Sequence, residues 1–247
     1  MQLATFLPTA HVPLPTDMNI AIIVAAGTGS RFAASQPKQF VEILDKPLII
    51  HTLERFEACP LVDEIILVLS LDGCREFANL NGHSAIKKLR SVATGGLTRA
   101  ASVRNGFNKV DSTKANVVAV HDGARPLVTV DEINRTIEKA AESGAACLVA
   151  EMIDTIKEVD GGKIVRTVDR KKFRRALTPQ AFRYDILKAA FDAAELTEEI
   201  TDECYLVEKM GVKISVVDGS SRNIKITRSE DLDLAKVFLE EMLDVRC

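Results

Sequence analysis

The feature that most constrains the fold is a set of short apolar runs separated by segments of helical spacing. Ile20-Ala21-Ile22-Ile23-Val24, Glu64–Leu69, 116–120 and 145–150 are almost wholly apolar. A strand without polar alternation is covered on both faces, as parallel strands are between two helical layers. Between these runs, 47–59 carries Leu48, His51, Leu53 and Phe56 at helical spacing, and 99–110 carries Ala100, Val103 and Phe107. The segment 131–143 reads as an amphipathic helix, with Asp131 near its start and Gly144 as its stop. Ser91-Val92-Ala93 adds a short strand. This alternation predicts an α/β fold, a doubly wound and mostly parallel sheet.

Residues 151–178 break the rhythm. Thr155 to Val159, a turn at Asp160-Gly161-Gly162, and Lys163 to Val168 read as a charged, amphipathic β-hairpin inserted in the domain. Isolated hairpins are marginal, so this arm must bury its apolar face on its own domain or on a partner subunit. The α/β pattern then resumes with helices at 184–194 and 202–210, a strand at 213–217 and a last helix at 230–243. Residues 18–247 form one expected domain, with the arm at about 151–178. Residues 1–17, with Pro8, Pro13 and Pro15 and no Lys or Arg, lack the marks of a signal or transit peptide and are expected to be a flexible extension.

Composition removes several functions. The net charge of -3 gives no basic field for nucleic acid, and no apolar stretch is long enough to span a membrane. The five cysteines, Cys59, Cys74, Cys147, Cys204 and Cys247, are scattered without a Cys-x-x-Cys pair. That argues against a zinc site or a disulfide framework and fits a reducing, cytoplasmic setting.

The chemistry-bearing residues follow the strands. After the first comes Ala25-Ala26-Gly27-Thr28-Gly29-Ser30-Arg31, then Pro37-Lys38-Gln39. Glycines let backbone N–H groups approach phosphate oxygens, and Arg31 and Lys38 add positive charge. No Gly-Lys-Ser/Thr follows as in Walker A, and the third glycine of a dinucleotide fingerprint is absent. A plain tight turn with solvated Arg and Lys remains the alternative. Thr94-Gly95-Gly96, Arg99 and Ser102 make a second strand-to-helix turn. His121-Asp122-Gly123-Ala124-Arg125-Pro126 follows the 116–120 strand, where ligands of open α/β sheets bind. Asp122 is placed to hold a divalent cation and Arg125 a phosphate or carboxylate, unless the two form only a structural pair. Of the basic run 170–175 and its flanks, Arg170 and Thr178 are the candidates, and Lys225 is expected in the same cleft as Lys38. No Ser-His-Asp or Cys-His set emerges: His121 is the only histidine near a candidate site, and His11, His51 and His83 read as surface or core.

Together these segments resemble the 2-C-methyl-D-erythritol 4-phosphate cytidylyltransferases of the non-mevalonate isoprenoid pathway. The resemblance rests on the two glycine turns, Pro37-Lys38-Gln39, His121-Asp122-x-Ala124-Arg125-Pro126, Asp154-Thr155, Thr167-Val168-Asp169-Arg170, Leu177-Thr178-Pro179-Gln180, Thr201-Asp202-Glu203 and Asn223-Ile224-Lys225-Ile226-Thr227, all in the family's order. It implies a Rossmann-like nucleotidyltransferase that moves CMP from CTP to the sugar-alcohol phosphate and releases pyrophosphate. By that likeness Arg31, Lys38 and Lys225 are catalytic, and Ala25, Ala26, Gly27, Gly29, Gly96 and Ser102 bind CTP. Asp122 holds Mg²⁺, while Asp122, Arg125, Thr155, Arg170 and Thr178 serve the acceptor. Thr155 belongs to the arm of the other subunit, so a homodimer is implied. Two positions depart from some relatives: Leu97 replaces an acid, and Ser221-Arg222 stands where a carboxylate precedes Asn223. The second departure removes one source of a second metal ligand.

Two rival functions share these residues. A ribitol-5-phosphate cytidylyltransferase would use the same chemistry on another acceptor, though Ala25-Ala26-Gly27 and Asp169-Arg170 favour methylerythritol phosphate. A non-catalytic nucleotide-binding module would share the fold. Three cations around one empty cleft repel each other, which argues for a working triphosphate site.

Overall fold

The computed structural model describes residues 17–27, 32, 37–80, 83–197 and 200–244. The extension at 1–16, Gly29, Arg31, His11 and Cys247 lie outside the described residues. The frame is one seven-stranded sheet. In chain order its strands are β1 (Met18–Ala25), β4 (Glu64–Leu69), β5 (Leu89–Thr94), β6 (Ala115–Asp122), β7 (Ala145–Glu151), β10 (Arg174–Arg183) and β11 (Ser215–Asp218). Short hairpins are formed by β2 (Glu42–Ile43) with β3 (Lys46–Pro47) and by β8 (Lys157–Asp160) with β9 (Lys163–Thr167). The helices are α1 (Leu48–Glu57), α2 (Leu71–Ala78), α3 (Arg99–Phe107), α4 (Val130–Ser143), α5 (Tyr184–Ala193), α6 (Glu203–Lys209) and α7 (Glu230–Asp244).

Across the sheet the order is β11-β7-β10-β6-β1-β4-β5. β1 pairs in parallel with β4 and β6, as do β4 with β5 and β7 with β11. Only β10 runs against its neighbours, β6 and β7. The doubly wound, mostly parallel sheet is therefore present, with an antiparallel strand near its centre that the apolar pattern does not announce. β10 begins with Arg174-Arg175 and contains Pro179, which cannot donate to a ladder. Its pairing with β7 shifts between Ala176 and Gln180, so Pro179 sits at the irregularity. α2 and the β2–β3 hairpin also escape the sequence reading. β6 extends further than expected, so His121 and Asp122 end the strand rather than open a loop.

Alternation along the strands sorts the core onto two faces. Ala21, Ile23, Ile65 and Leu67 join Leu53 and Phe56 of α1 and Ile133 and Ile137 of α4. Ile20, Ile22, Ile66 and Val68 join Val103 of α3, Leu187 and Phe191 of α5 and Leu206 of α6. Phe107 lies 5.0 Å from the Tyr184 ring and 5.3 Å from Phe191, locking α3 to α5. Gly106 lets α3 approach the sheet: a Cβ there would lie 2.7 Å from Val68 and 2.8 Å from Ile22. A third cluster packs α7, through Ala235 and Leu239, on Leu48, Leu127 and Ile226. α4 starts with a capping box, Thr129 with Glu132, just ahead of the Asp131 start signal, and ends at Gly144 as expected.

The arm forms as read, but every residue of β8 and β9 is exposed. Ile164 and Val165 are neighbours in β9 and stand 65 % and 58 % exposed, so both faces of the hairpin carry apolar surface.

Candidate active site

The carboxyl ends of β1, β5 and β6 frame a cavity of about 450 Å³. This is the crevice where open α/β sheets bind ligands, and its size suits a small organic molecule. Ala25, Ala26 and Gly27 line it together with Gly96 to Arg99 and Ser102. Asp122 lies at the floor, while Lys38, Gln39, Lys225 and Thr227 complete the rim.

The second glycine turn is built from its own side chains. Thr98 caps α3 by accepting the Ala101 N–H at 3.1 Å. Ser102 Oγ accepts the Gly96 N–H at 3.0 Å and donates to the Thr98 carbonyl at 2.9 Å. Ser102 is 3 % exposed, so its first task is to hold this turn. Gly95 has no room for a side chain: a Cβ would lie 2.3 Å from Ala26 Cβ. The two glycine turns thus touch. Leu97, the departure from the family pattern, is fully exposed at the mouth.

Lys38 sits on a short 3-10 turn, Lys38–Phe40, anchored by buried Gln39 and Phe40. Its Nζ donates to the Ile226 carbonyl at 3.0 Å. The Lys225 segment is tied in by the Ile226 N–H on the Ala124 carbonyl at 2.9 Å, and by Asp231, which accepts from the Thr227 N–H at 2.7 Å. Sequence positions far apart therefore meet across one cleft.

Asp122 is the electrostatic hub. Its Oδ1 accepts from Arg99 Nε at 3.1 Å, and its Oδ2 accepts from Arg125 Nε at 3.3 Å and pairs with Lys225 Nζ at 2.9 Å. Burial alone would push this carboxyl up, but Arg99, Lys225 and Arg125 together hold it well below the usual range. Arg99 reaches on to Glu203, with Nη1 at 2.9 and 3.0 Å from its two oxygens. Burial works against the Arg99 charge, yet Glu203 and Asp122 raise its pKa and keep it protonated. Arg125 is anchored by its Nη1 on the Asn223 carbonyl at 2.8 Å.

Beneath Asp122 lies a buried relay of hydrogen bonds. His121 Nε2 donates to the Arg125 carbonyl at 3.1 Å, so its Nδ1 is the acceptor for Thr178 Oγ1 at 3.0 Å. The same hydroxyl accepts the Asp122 N–H at 3.1 Å. Burial pushes the His121 pKa down to about 4. An unfolded histidine titrates near 6.5, so as pH falls from there to about 4 the unfolded chain takes up a proton that the fold refuses. Stability is present above this window and lost through it, by up to about 3 kcal/mol for this group. Urea titrations at pH 7 and pH 4 should show that loss, and the His121→Asn variant should show a smaller one. An equal slope in both proteins would remove His121 from the account.

Of the expected residues, Ala25, Ala26, Gly27, Lys38, Gly96, Ser102, Asp122 and Lys225 line the cavity. Arg125 lies beside it on Asp122. Thr178 lies under the floor, 4 % exposed, with its hydroxyl committed to His121 and Asp122. Thr155 and Arg170 are exposed on the arm, away from this chain's own cavity, and Arg170 binds the Ile153 carbonyl. Gly29 and Arg31 lie outside the described residues. Two participants, Arg99 and Glu203, stand in the sequence motifs without a predicted role. The signal was present in charged residues at both motif ends, but their pairing spans 104 positions. Asp122 stands without a second carboxylate ligand: among the described residues, no group of three His, Cys, Asp or Glu side chains gathers as a metal site. The Asp122 carboxylate on the cavity is the type of hard oxygen donor that Mg²⁺ would take, with phosphates and water completing its shell.

Residues 19–241 match the family model described as 2-C-methyl-D-erythritol 4-phosphate cytidylyltransferase. The chain belongs to this family. Similar cytidylyltransferases include that of Syntrophus aciditrophicus, 41 % identical over 90 % of this chain and 96 % of the relative. That of Geobacter metallireducens is 39 % identical over 90 % of this chain and 98 % of its own. Among solved structures, the 4-diphosphocytidyl-2C-methyl-D-erythritol synthase of Anaerococcus prevotii superposes with a TM-score of 0.77 at 28 % identity, over 91 % of this chain and 97 % of that one. The cytidylyltransferase of Francisella tularensis gives 0.74 at 33 % identity, over 90 % and 100 %. The cytidylyltransferase fold is thus shared over nearly the whole length. No helix among the described residues is long and apolar enough to cross a membrane.

Proposed function

We infer that the chain is a CTP-dependent transferase that gives CDP-methylerythritol and pyrophosphate in isoprenoid biosynthesis. Family membership over residues 19–241 carries the reading, and the cluster of Lys38, Arg99, Arg125 and Lys225 around Asp122 supports it. In the transfer an oxygen of the acceptor's phosphate bonds to the α-phosphorus of CTP. The bond from that phosphorus to the bridging oxygen breaks, and its electrons leave with pyrophosphate. Such a reaction asks the protein for alignment and charge stabilisation. The touching glycine turns hold the nucleoside with backbone groups. Lys38 and Lys225, with Arg31, are proposed to face the triphosphate and stabilise the charge that grows on the leaving group. Lys225 is half-exposed and can swing from Asp122 to a phosphate, whereas Arg99 and Arg125 stay anchored. Asp122 would hold Mg²⁺, which supplies charge neutralisation on the phosphates.

Thr155 and Arg170 sit off this chain's own cavity, so their proposed contact with the acceptor needs a second subunit. The exposed apolar faces of the arm support a homodimer with composite sites, in which Arg125 and, through its hold on Asp122, Thr178 belong to the receiving subunit. In sedimentation velocity the native chain should run as a dimer, and Val165→Lys, which places a charge in the joint, should run as a monomer with little acceptor turnover. A Val165→Lys dimer of native activity would place the interface elsewhere.

The function is tested by pyrophosphate release with CTP and Mg²⁺, using methylerythritol 4-phosphate and ribitol 5-phosphate in parallel. Release with the first acceptor alone is expected. Release with ribitol 5-phosphate alone would keep the triphosphate roles but overturn those of Arg170 and Thr178. A folded protein that binds CTP and turns over neither would be a binding module.

A further inference from the structure

Glu203 has no accessible surface and opens α6. The first turn of that helix is pinned to β10. Asp202 caps it by accepting the Tyr205 N–H at 3.0 Å, and its other oxygen takes Gln180 Nε2 at 2.8 Å. Gln180 Oε1 in turn accepts the Cys204 N–H at 3.1 Å. β10 lies against β6, whose last residue is Asp122. Glu203 is therefore fixed relative to Asp122 by the sheet, and Arg99 spans the gap between the two carboxylates.

A buried ion pair is a poor source of net stability, because desolvation offsets most of its attraction. This one divides Asp122 into two unequal sides. Oδ1 faces Arg99, which Glu203 holds with both oxygens. Oδ2 faces two cations, Arg125, 11 % exposed and held by the Asn223 carbonyl, and Lys225, whose side chain is 38 % exposed against 23 % for Arg99 and is the partner free to move. Without Glu203, Arg99 would have one anionic partner left and would be drawn fully onto Asp122, over both oxygens.

We propose that Glu203 is a positioning residue for nucleotidyl transfer: through Arg99 it keeps the Oδ1 side of Asp122 closed, so that the incoming triphosphate and its cation open only the Oδ2 side, where Lys225 can leave. The proposal rests on the cytidylyltransferase reading. Glu203 touches neither the cavity nor a substrate, and its effect passes through the geometry of one carboxylate.

The test uses Glu203→Gln, which keeps shape and one acceptor, together with Arg99→Lys and the double variant. Single-turnover transfer should fall about 10–100-fold in Glu203→Gln, as for other residues that orient a ligating carboxylate, while CTP affinity without divalent cation, by calorimetry, stays within about threefold. Arg99→Lys should lose a similar factor, and the double variant no more than either alone, because the two act as one unit. The Arg99 Nε–H resonance should move in Glu203→Gln. Transfer within about threefold of native, an additive double variant, or CTP affinity falling in step with transfer would each overturn the proposal. If Glu203→Gln does not fold, Arg99→Lys carries the same split between affinity and rate. A native protein that transfers nothing would sink the cytidylyltransferase reading, and the resonance with metal-free CTP binding would still decide whether Glu203 positions the Asp122 side.

Discussion

Replacement of Lys38 by alanine is expected to lower turnover about 10²–10³-fold, the usual loss for a single preorganised charge on a developing anion. The reasoning starts from the backbone. Lys38 occupies a turn whose next two residues, Gln39 and Phe40, are buried, while the Leu48 N–H closes the segment on the Val41 carbonyl at 2.9 Å. Truncation beyond Cβ leaves that anchor untouched, so the fold should hold. The lost group is the ammonium that now rests on the Ile226 carbonyl at the cavity rim. A triphosphate is a far stronger partner for a cation than a backbone carbonyl is. Charge on the β- and γ-phosphates grows as the bond to the α-phosphorus breaks, so the loss belongs mainly in kcat. CTP KM should move by less, because Asp122 and Lys225 remain. Lys38→Arg keeps charge but changes its shape, and should recover only part of the rate. Steady-state pyrophosphate release, with the circular dichroism spectrum as a fold control, decides it. Native kcat in Lys38→Ala would place the leaving-group charge on other residues.

Much of the frame was legible because a strand buried on both faces has only one way to be written. β1, β4, β6 and β7 are continuous apolar runs, and the glycine turns follow directly from their ends. β10 was not legible for the opposite reason. Its first residues are charged and exposed and its middle holds Thr178, Pro179 and Gln180, so the sequence does not announce that 177–182 are buried. Missing it also hid the route by which the site is assembled. β10 brings Thr178 under Asp122 and pins α6, so that Glu203 meets Arg99. Local pattern shows which residues carry charge, and the sheet order decides which of them neutralise one another. Thr178 illustrates the limit: the family resemblance implies a contact with the acceptor, but in β10 its hydroxyl is turned onto His121. Thr155 and Arg170 mark another limit: the homodimer proposed for them would bring them to a second subunit's cavity, which the fold of one chain cannot do.

Asp122→Asn is the change expected to damage both stability and chemistry. The substitution keeps the volume and removes one charge from a floor where three cations converge, Arg99, Arg125 and Lys225. Arg99 retains Glu203, but Arg125 and Lys225 lose their shared anion. Breaking a buried pair from one side costs about 3–5 kcal/mol, because the remaining charge stays desolvated. Lys225, half-exposed, can turn toward water and relieve part of this; Arg125, held by the Asn223 carbonyl, has less freedom. The lower half of that range is therefore the expected loss, read from urea unfolding at pH 7. Acid should not imitate the variant in the native protein, because the Asp122 carboxyl is held ionised far below its ordinary range, and the protons taken up on acidification fall instead on Glu203, whose pKa burial raises, and on His121. The chemical loss is separate. The substituted amide could still accept from Arg99, yet it would offer a poor ligand to a divalent cation, and transfer should fall on the order of 10³-fold. Anionic CTP should bind the variant without divalent cation at least as well as the native protein, since the site has gained a net positive charge. That pairing of stronger metal-free binding with lost transfer separates Asp122 as a cation holder from Asp122 as a mere spacer among arginines. A variant that binds CTP weakly and transfers at a proportionally reduced rate would sustain only the spacer.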